Sequence, residues 1–296
     1  MRQLVVLSGK GGTGKTTLVA AFAALAQDKV LADCDVDAAD LHLLMDPKLE
    51  RSEPFAGSKV AALDEQRCIG CGACQKSCRF AAISERGGRF SIDPFRCEGC
   101  GVCAFVCPAG AIELKPRLSG HVYISSTRFG SLVHGQLEPG EGTSGKLVTL
   151  VKQRATELAH SEGAELIIID GPPGIGCPVI ASLGGATAAL IVTEPTLAGL
   201  HDLERVLGLA RHFRARALIC INKYDLNEEM TRQVEQFATG QGLEVIGRIP
   251  YDDVVTEAMV QGRSVIECSD GPVTRAIEEV WARLGEILEL ERIPRR

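Results

Sequence analysis

The sequence has no excess of positive charge. Its 296 residues carry a net charge of −6, which leaves no electrostatic footprint for general nucleic-acid binding. It has no apolar run of membrane-spanning length. It has no room for a signal peptide before the first strand pattern, so the expected location is the cytoplasm. It has no paired histidine spacing: His42, His121, His134, His160, His201 and His212 are scattered and read as surface or structural residues. Hydrophobic content of 45% and charged content of 24% are ordinary for a globular chain, long enough for one large α/β domain or two domains. What the chain does have is cysteine, twelve in all. In a reducing compartment that number points to metal rather than to disulfides.

The stretch that organises the chain is Ser8-Gly9-Lys10-Gly11-Gly12-Thr13-Gly14-Lys15-Thr16-Thr17. It follows the apolar run Leu4 to Leu7 and precedes an Ala-rich helical pattern, Leu18 to Ala26. Strand, glycine loop and helix in that order are the context of a phosphate-binding loop. Glycines let backbone N–H groups close around phosphate oxygens, and the helix turns its positive end to the same anion. Lys15 is expected to reach the β- and γ-phosphates and Thr16 to ligate Mg²⁺. Gly9, Lys10, Gly11, Gly12, Thr13, Gly14 and Thr17 complete the cradle. Two acidic strand ends suit a magnesium–nucleotide site. Val30 to Asp33 reads as a strand leading into Asp35, Asp37 and Asp40, and Leu166 to Ile169 as a buried parallel strand leading into Asp170 and Gly174.

The second strong signal is a repeat. Cys68, Cys71, Cys74 and Cys78 form one C-x₂-C-x₂-C-x₃-C run; Cys97, Cys100, Cys103 and Cys107 form another. This is the bacterial two-cluster ferredoxin spacing, in which the fourth cysteine of each run serves the other cluster. The expected ligand sets are Cys68, Cys71, Cys74 and Cys107 for one [4Fe–4S] cluster, and Cys97, Cys100, Cys103 and Cys78 for the other. Structural zinc or a buried thiol cluster are the alternatives, although zinc knots use pairs with longer gaps. Arg79 stands where the pattern usually has proline, whereas Pro108 is present in the second copy. The region has few large apolar residues, so it is expected to unfold without iron.

Lys10, directly after the first glycine of the loop, makes the string Lys10 to Thr17 resemble the deviant-Walker-A ATPases: MinD, ParA and Mrp, with the nitrogenase iron protein as a cousin. Ser144-Gly145-Lys146-Leu147-Val148 resembles one branch, the MinD-like ATPases with an inserted ferredoxin domain. The resemblance implies an α/β P-loop NTPase with a mostly parallel sheet covered by helices on both faces, plus a small inserted α+β ferredoxin-like domain. Residues 1–58 and 117–296 would form the ATPase and 59–116 the insert. It implies ATP, Mg²⁺ and two [4Fe–4S] clusters as cofactors. Lys10 would reach across a homodimer to the partner's ATP; the plainer reading is a solvated loop charge. Asp35 would orient or activate the attacking water, Asp33 hold the metal's water shell, Asp170 contact Mg²⁺ through water, and the Gly174 backbone sense the γ-phosphate. Asn222 would contact adenine, although Asn222-Lys223-Tyr224-Asp225 also spells a guanine-recognition pattern. Asp37 and Asp40 read equally as helix-start acids. Cys177 lies where the nitrogenase iron protein ligates a bridging cluster. With no second suitable cysteine, and without the C-x-x-C of Mrp-type carriers, it is read as a small buried thiol.

Elsewhere, residues 46–58 read as a connector. Strands are expected at His121 to Ser125, Leu132 to Leu137, Ala188 to Thr193, Arg216 to Ile221 and Leu243 to Ile249. Helices are expected from Ser144, a candidate cap, to about Ser161, and from Leu197 to Phe213. The closing helix, Val273 to Leu290, is apolar at helical spacing. MinD proteins end in a membrane-binding helix, but the acids of this one oppose anionic lipid, so core packing is expected. Expected partners are a second copy in the ATP state and an electron-transfer or client protein, with no nucleic acid and no stable membrane insertion. Three functions stay open: an ATPase coupled to electron transfer, a positioning or scaffold ATPase, and an iron–sulfur carrier.

Overall fold

The computed structural model describes residues 1–142 and 144–290. The strands in chain order are β1 (Arg2–Ser8), β2 (Lys29–Asp33), β3 (Lys48–Phe55), β4 (Ser58–Leu63), β5 (Ile83–Arg86), β6 (Arg89–Ile92), β7 (Ile112–Arg117), β8 (Gly120–Thr127), β9 (Gly130–Leu137), β10 (Leu166–Pro173), β11 (Ala188–Thr193), β12 (Arg216–Asn222) and β13 (Glu244–Ile249). The helices are α1 (Lys15–Leu25), α2 (Ala73–Ser77), α3 (Val102–Phe105), α4 (Ser144–Glu162), α5 (Cys177–Leu183), α6 (Leu197–His212), α7 (Glu228–Gly240), α8 (Val254–Val260), α9 (Val265–Cys268) and α10 (Pro272–Ile287). The chain divides into two compact units. One is formed by Met1–Glu53, Val122–Leu137 and the chain from Ser144 onward; the other by Pro54–His121 and a return segment from Glu138.

The first unit carries a nine-stranded sheet in the order β13-β12-β11-β1-β10-β2-β9-β8-β3. From β13 to β9 every neighbouring pair is parallel. Near-continuous apolar runs produce such strands because both faces are covered. Leu4, Val6, Leu31, Ile168 and Leu190 join one core with α1 and α10, while the alternate residues Val5, Val30, Ile167, Ile169 and Ile191 are buried as well. Helix α1 is Ala-rich and buried on almost every side, from Leu18 to Ala23, which lets it lie close to β10. The sheet is thus mostly parallel and flanked by helices. The apolar stripe of α10, Val273, Ile277, Val280 and Leu284, is buried, and Trp281 meets Phe22 at 5.2 Å between ring centroids. No helix among the described residues is long and apolar enough to cross a membrane.

Two expectations are corrected here. Residues 48–55 form the edge strand β3, not a connector. Its charged sequence KLERSEPF is exposed along most of its length, as suits an edge guarded by charge and a terminal proline. Ser144 is the first residue of α4 rather than its cap.

In the second unit β4 pairs antiparallel with β7 from Ser58↔Arg117 to Leu63↔Ile112. β5 and β6 form a hairpin. Helices α2 and α3 open on the left-handed glycines Gly72 and Gly101, so the sequence repeat is also a backbone repeat. The expected insert, 59–116, lies inside this unit, whose edges run further out on both sides. Ser119 donates to the Phe55 carbonyl, Glu138 donates to the Ser119 carbonyl, and Arg117 pairs with Glu141 at 2.6 Å. These bonds tie segments on either side of the cysteine runs into one body.

Candidate functional site

The glycine loop leaves β1, in the middle of the sheet, at the C-terminal edge where open α/β sheets bind ligands. Gly14 takes φ 92° at the start of α1. The Asn222 side-chain amide donates to the Thr13 carbonyl at 2.8 Å, and a Cβ on Gly14 would stand 2.4 Å from that nitrogen. Gly9 is required by close approach instead: its Cβ would fall 2.1 Å from that of Asp202 on α6. Gly174 donates its N–H to the Ser8 carbonyl at 2.9 Å. Lys15 is buried at 5% exposure.

Asp35 and Asp170 lie near Lys15, and Asp33 lies beside them. Burial raises Asp35 to about 6, with Lys15 opposing and Asp37 and Asp40 adding to the rise. Burial raises Asp170 to about 7 against a Thr16 hydrogen bond and Lys15. Asp33 is pushed well above the usual carboxylate range by burial and by Asp170. Carboxylates crowded this way are short of a cation. The Thr13 Oγ1 and Asp170 Oδ1 atoms are buried without a hydrogen-bond partner among the described residues. Buried polar atoms in native sites have partners, so these two mark positions that a nucleotide and Mg²⁺ would complete.

Not every expected residue is free for its role. Both Asp33 oxygens are engaged by backbone, accepting from Asp35 N at 3.0 Å and Leu41 N at 3.1 Å. The carboxylate shapes the loop that presents Asp35. Asn222 braces the phosphate loop, as above. Lys10 pairs with Glu194 of the same chain at 2.8 Å, and Lys223 pairs with the same carboxylate at 2.7 Å. Burial alone would raise Glu194, but the bonds from Lys10 and Lys223 hold it below its ordinary value. Glu194 was not anticipated; the available signal was one more acid just beyond a parallel strand, β11. Lys152 was missed too. It is buried on α4 and donates to the Ser182 and Gly184 carbonyls that end α5; burial lowers it to about 8. Cys177, expected to be buried, is exposed, because it opens α5 with its side chain outside the core.

In the second unit Cys78, Cys97, Cys100 and Cys103 line one cavity with Ile83 and Ile92. Gly99, within the second run, has φ 62°, and a Cβ there would sit 2.1 Å from the Lys59 carbonyl oxygen. Ala61 N–H donates to Cys97 Sγ at 3.4 Å and Ala111 N–H to Cys107 Sγ at 3.3 Å. Burial raises the Cys74 thiol, and Cys68 and Cys71 raise it further. Among the described residues no group of three or more His, Cys, Asp or Glu side chains is gathered to hold a metal ion.

A profile of the CobQ/CobB/MinD/ParA nucleotide-binding domain matches residues 4–265. The chain belongs to this family. Its MinD and ParA members are ATP-hydrolysing P-loop ATPases, and the chain is an ATPase of this kind, which implies binding of ATP and Mg²⁺. An uncharacterized protein of Methanocaldococcus jannaschii, MJ0578, is 33% identical over 97% of both chains. The fold resembles the septum site-determining protein MinD of Pyrococcus horikoshii complexed with Mg-ADP, at 16% identity, a TM-score of 0.58, and coverage of 97% of this chain and 96% of that one. It also resembles the MinC:MinD complex of Aquifex aeolicus, at 19% identity, a TM-score of 0.59, and coverage of 100% and 99%.

Proposed function

We propose that this chain is a cytoplasmic MinD-type ATPase whose second unit is a ferredoxin-like domain with two [4Fe–4S] clusters, coupling ATP-dependent homodimerisation to electron transfer with a protein partner. The observation that carries the reading is the cavity bounded by Cys78, Cys97, Cys100 and Cys103. One cysteine of the first run meets three of the second, the crossed ligand set of the doubled spacing. A single tetrahedral zinc would draw thiolates to about 3.8 Å of one another. An iron–sulfide cube would seat four thiolates at its corners, farther apart than around one ion. Cys68, Cys71, Cys74 and Cys107 would hold the second cube. When bound, such clusters supply one-electron storage. The Ala61 and Ala111 N–H groups would then tune the sulfurs they already contact.

In the first unit Lys15, Thr16 and the loop amides bind the triphosphate and Mg²⁺, with Asp170 steadying the metal's water and Asp35 holding the attacking water. Asp35, raised to about 6, suits a proton acceptor near neutral pH. For Lys10 to reach a partner subunit it must leave Glu194, and for Asn222 to contact adenine it must leave the Thr13 carbonyl.

The test is an anaerobic preparation assayed for iron, sulfide and ATP hydrolysis. About eight irons per chain are expected, with a shift to dimer size when a non-hydrolysable ATP analogue is added. A folded, ATP-hydrolysing chain that holds no iron under those conditions sinks the cluster reading. The likeness to MinD in complex with MinC favours a second reading, a recruiting ATPase with structural clusters. Cellular function surviving replacement of the Cys97, Cys100 and Cys103 ligand set in a variant shown by limited proteolysis to keep the fold of the second unit would select it.

A further inference from the structure

Residues 76–92 hold four cations, Lys76, Arg79, Arg86 and Arg89, against one carboxylate, Glu85, in a chain of net charge −6. All four cations are exposed. None has an ion-pair partner among the described residues, unlike Arg96, Lys115 and Arg117 of the same unit. Arg86 and Arg89 are directly opposed across the hairpin, flanking Gly87-Gly88. Opposed residues share a face of the pair, and like charges there destabilise it. A fold that keeps two arginines opposed is relieved when an anionic surface covers them.

The hairpin has two distinct faces. Ile83 and Phe90 are buried, and Ile83 and Ile92 wall the cavity of Cys78, Cys97, Cys100 and Cys103. The other face presents Ser84, Arg86, Arg89 and Ser91, with the two serine hydroxyls 3.1 Å apart. Phe80 borders the same cavity, is 43% exposed, and follows Arg79 directly.

We propose that this face docks an acidic one-electron carrier protein, with Arg86 and Arg89 pairing its carboxylates. The proposal rests on the cluster reading above. Cys97, Cys100, Cys103 and Cys78 would hold the cluster that, when bound, takes up the single electron the reduced carrier gives up. No bond forms or breaks. Opposite charge also steers the encounter, so association falls as salt rises.

The experiment titrates the anaerobically purified full-length protein, its iron counted, with an acidic [2Fe–2S] ferredoxin. A basic c-type cytochrome is the opposite-charge probe and a single-stranded oligonucleotide the polyanion control. The ferredoxin is expected to bind, more weakly at higher salt. Arg86→Glu/Arg89→Glu should lose about tenfold or more in affinity at unchanged iron content, Arg86→Gln/Arg89→Gln a smaller part of it, and Arg275→Glu, an exposed arginine of α10, nothing. Equal binding by both double variants, or tighter binding of the cytochrome or the oligonucleotide, overturns the docking proposal while the iron count leaves the cluster reading standing. A preparation without iron overturns both.

Discussion

The two units are held together by different means. The first owns a continuous core in which Phe22, Leu4, Leu18, Leu31 and Ile168 are almost wholly removed from water. The core of the second is Ala61, Cys74, Ile83, Phe90, Cys103 and Ile112, with Cys68, Cys78 and Cys97 packed against it. Small units bury too little apolar surface to offset chain entropy unaided, and here the side chains filling the centre are themselves candidate ligands. In the ATPase unit the functional groups line the edge of a core that exists without them. In the second unit the candidate ligands are the core, so on the cluster reading ligand binding and folding would become one process.

The sharpest way to break that contrast is to remove iron. Chelation should make Pro54–His121 at least about tenfold more sensitive to limited proteolysis while the β1–α1 region stays resistant. Equal resistance in both states would show that the second unit has a sufficient core after all. The converse experiment is Phe22→Ala. Emptying that site should cost about 3–5 kcal/mol, read as a lower denaturation midpoint for the first unit with the iron absorbance of the second unchanged. Third comes Lys15→Ala. Loss of a preorganised cation at the phosphates should lower ATP hydrolysis by about 10²–10³-fold, with melting of neither unit altered by more than about 1 kcal/mol.

The same contrast explains what the sequence disclosed. The parallel strands were legible because apolar runs such as Leu166 to Ile169 have no other comfortable place, and the glycine loop because its chemistry fixes both residue type and spacing. Strand β3 was hidden because an edge strand shows its charges, not its pairing. The repeat led to the expectation that Cys78 joins Cys97, Cys100 and Cys103, which line one cavity; their role as a ligand set belongs to the proposed reading. The closing of the second unit by Ser119, Glu138 and Glu141 could not be inferred, since those bonds join residues far apart in sequence. The roles of Glu194 and Asn222 were obscured for a related reason: each side chain depends on where a distant loop lies.

The smallest effect concerns a place where the first unit departs from its own pattern of apolar filling. His134, on β9 beside Asp33 in register, stacks on His42 at 5.1 Å and on Tyr123 at 4.9 Å between ring centroids. Burial, reinforced by His42, lowers it to about 4. Its folded value lies below the unfolded one near 6.5, so the unfolded chain binds the extra proton between those values. The stability it contributes is therefore complete above pH 6.5 and is lost as pH falls toward 4, by at most about 2 kcal/mol between pH 7 and 5. The raised carboxylates Asp35 and Asp170 act in the opposite sense, since the folded state protonates them first. Comparing wild type with His134→Phe at each pH cancels them. The variant, which keeps a ring in the stack, should lose less stability than wild type on going from pH 7 to pH 5. Parallel stability curves for the two proteins would mean that His134 is charged in the folded chain, contrary to the burial that surrounds it.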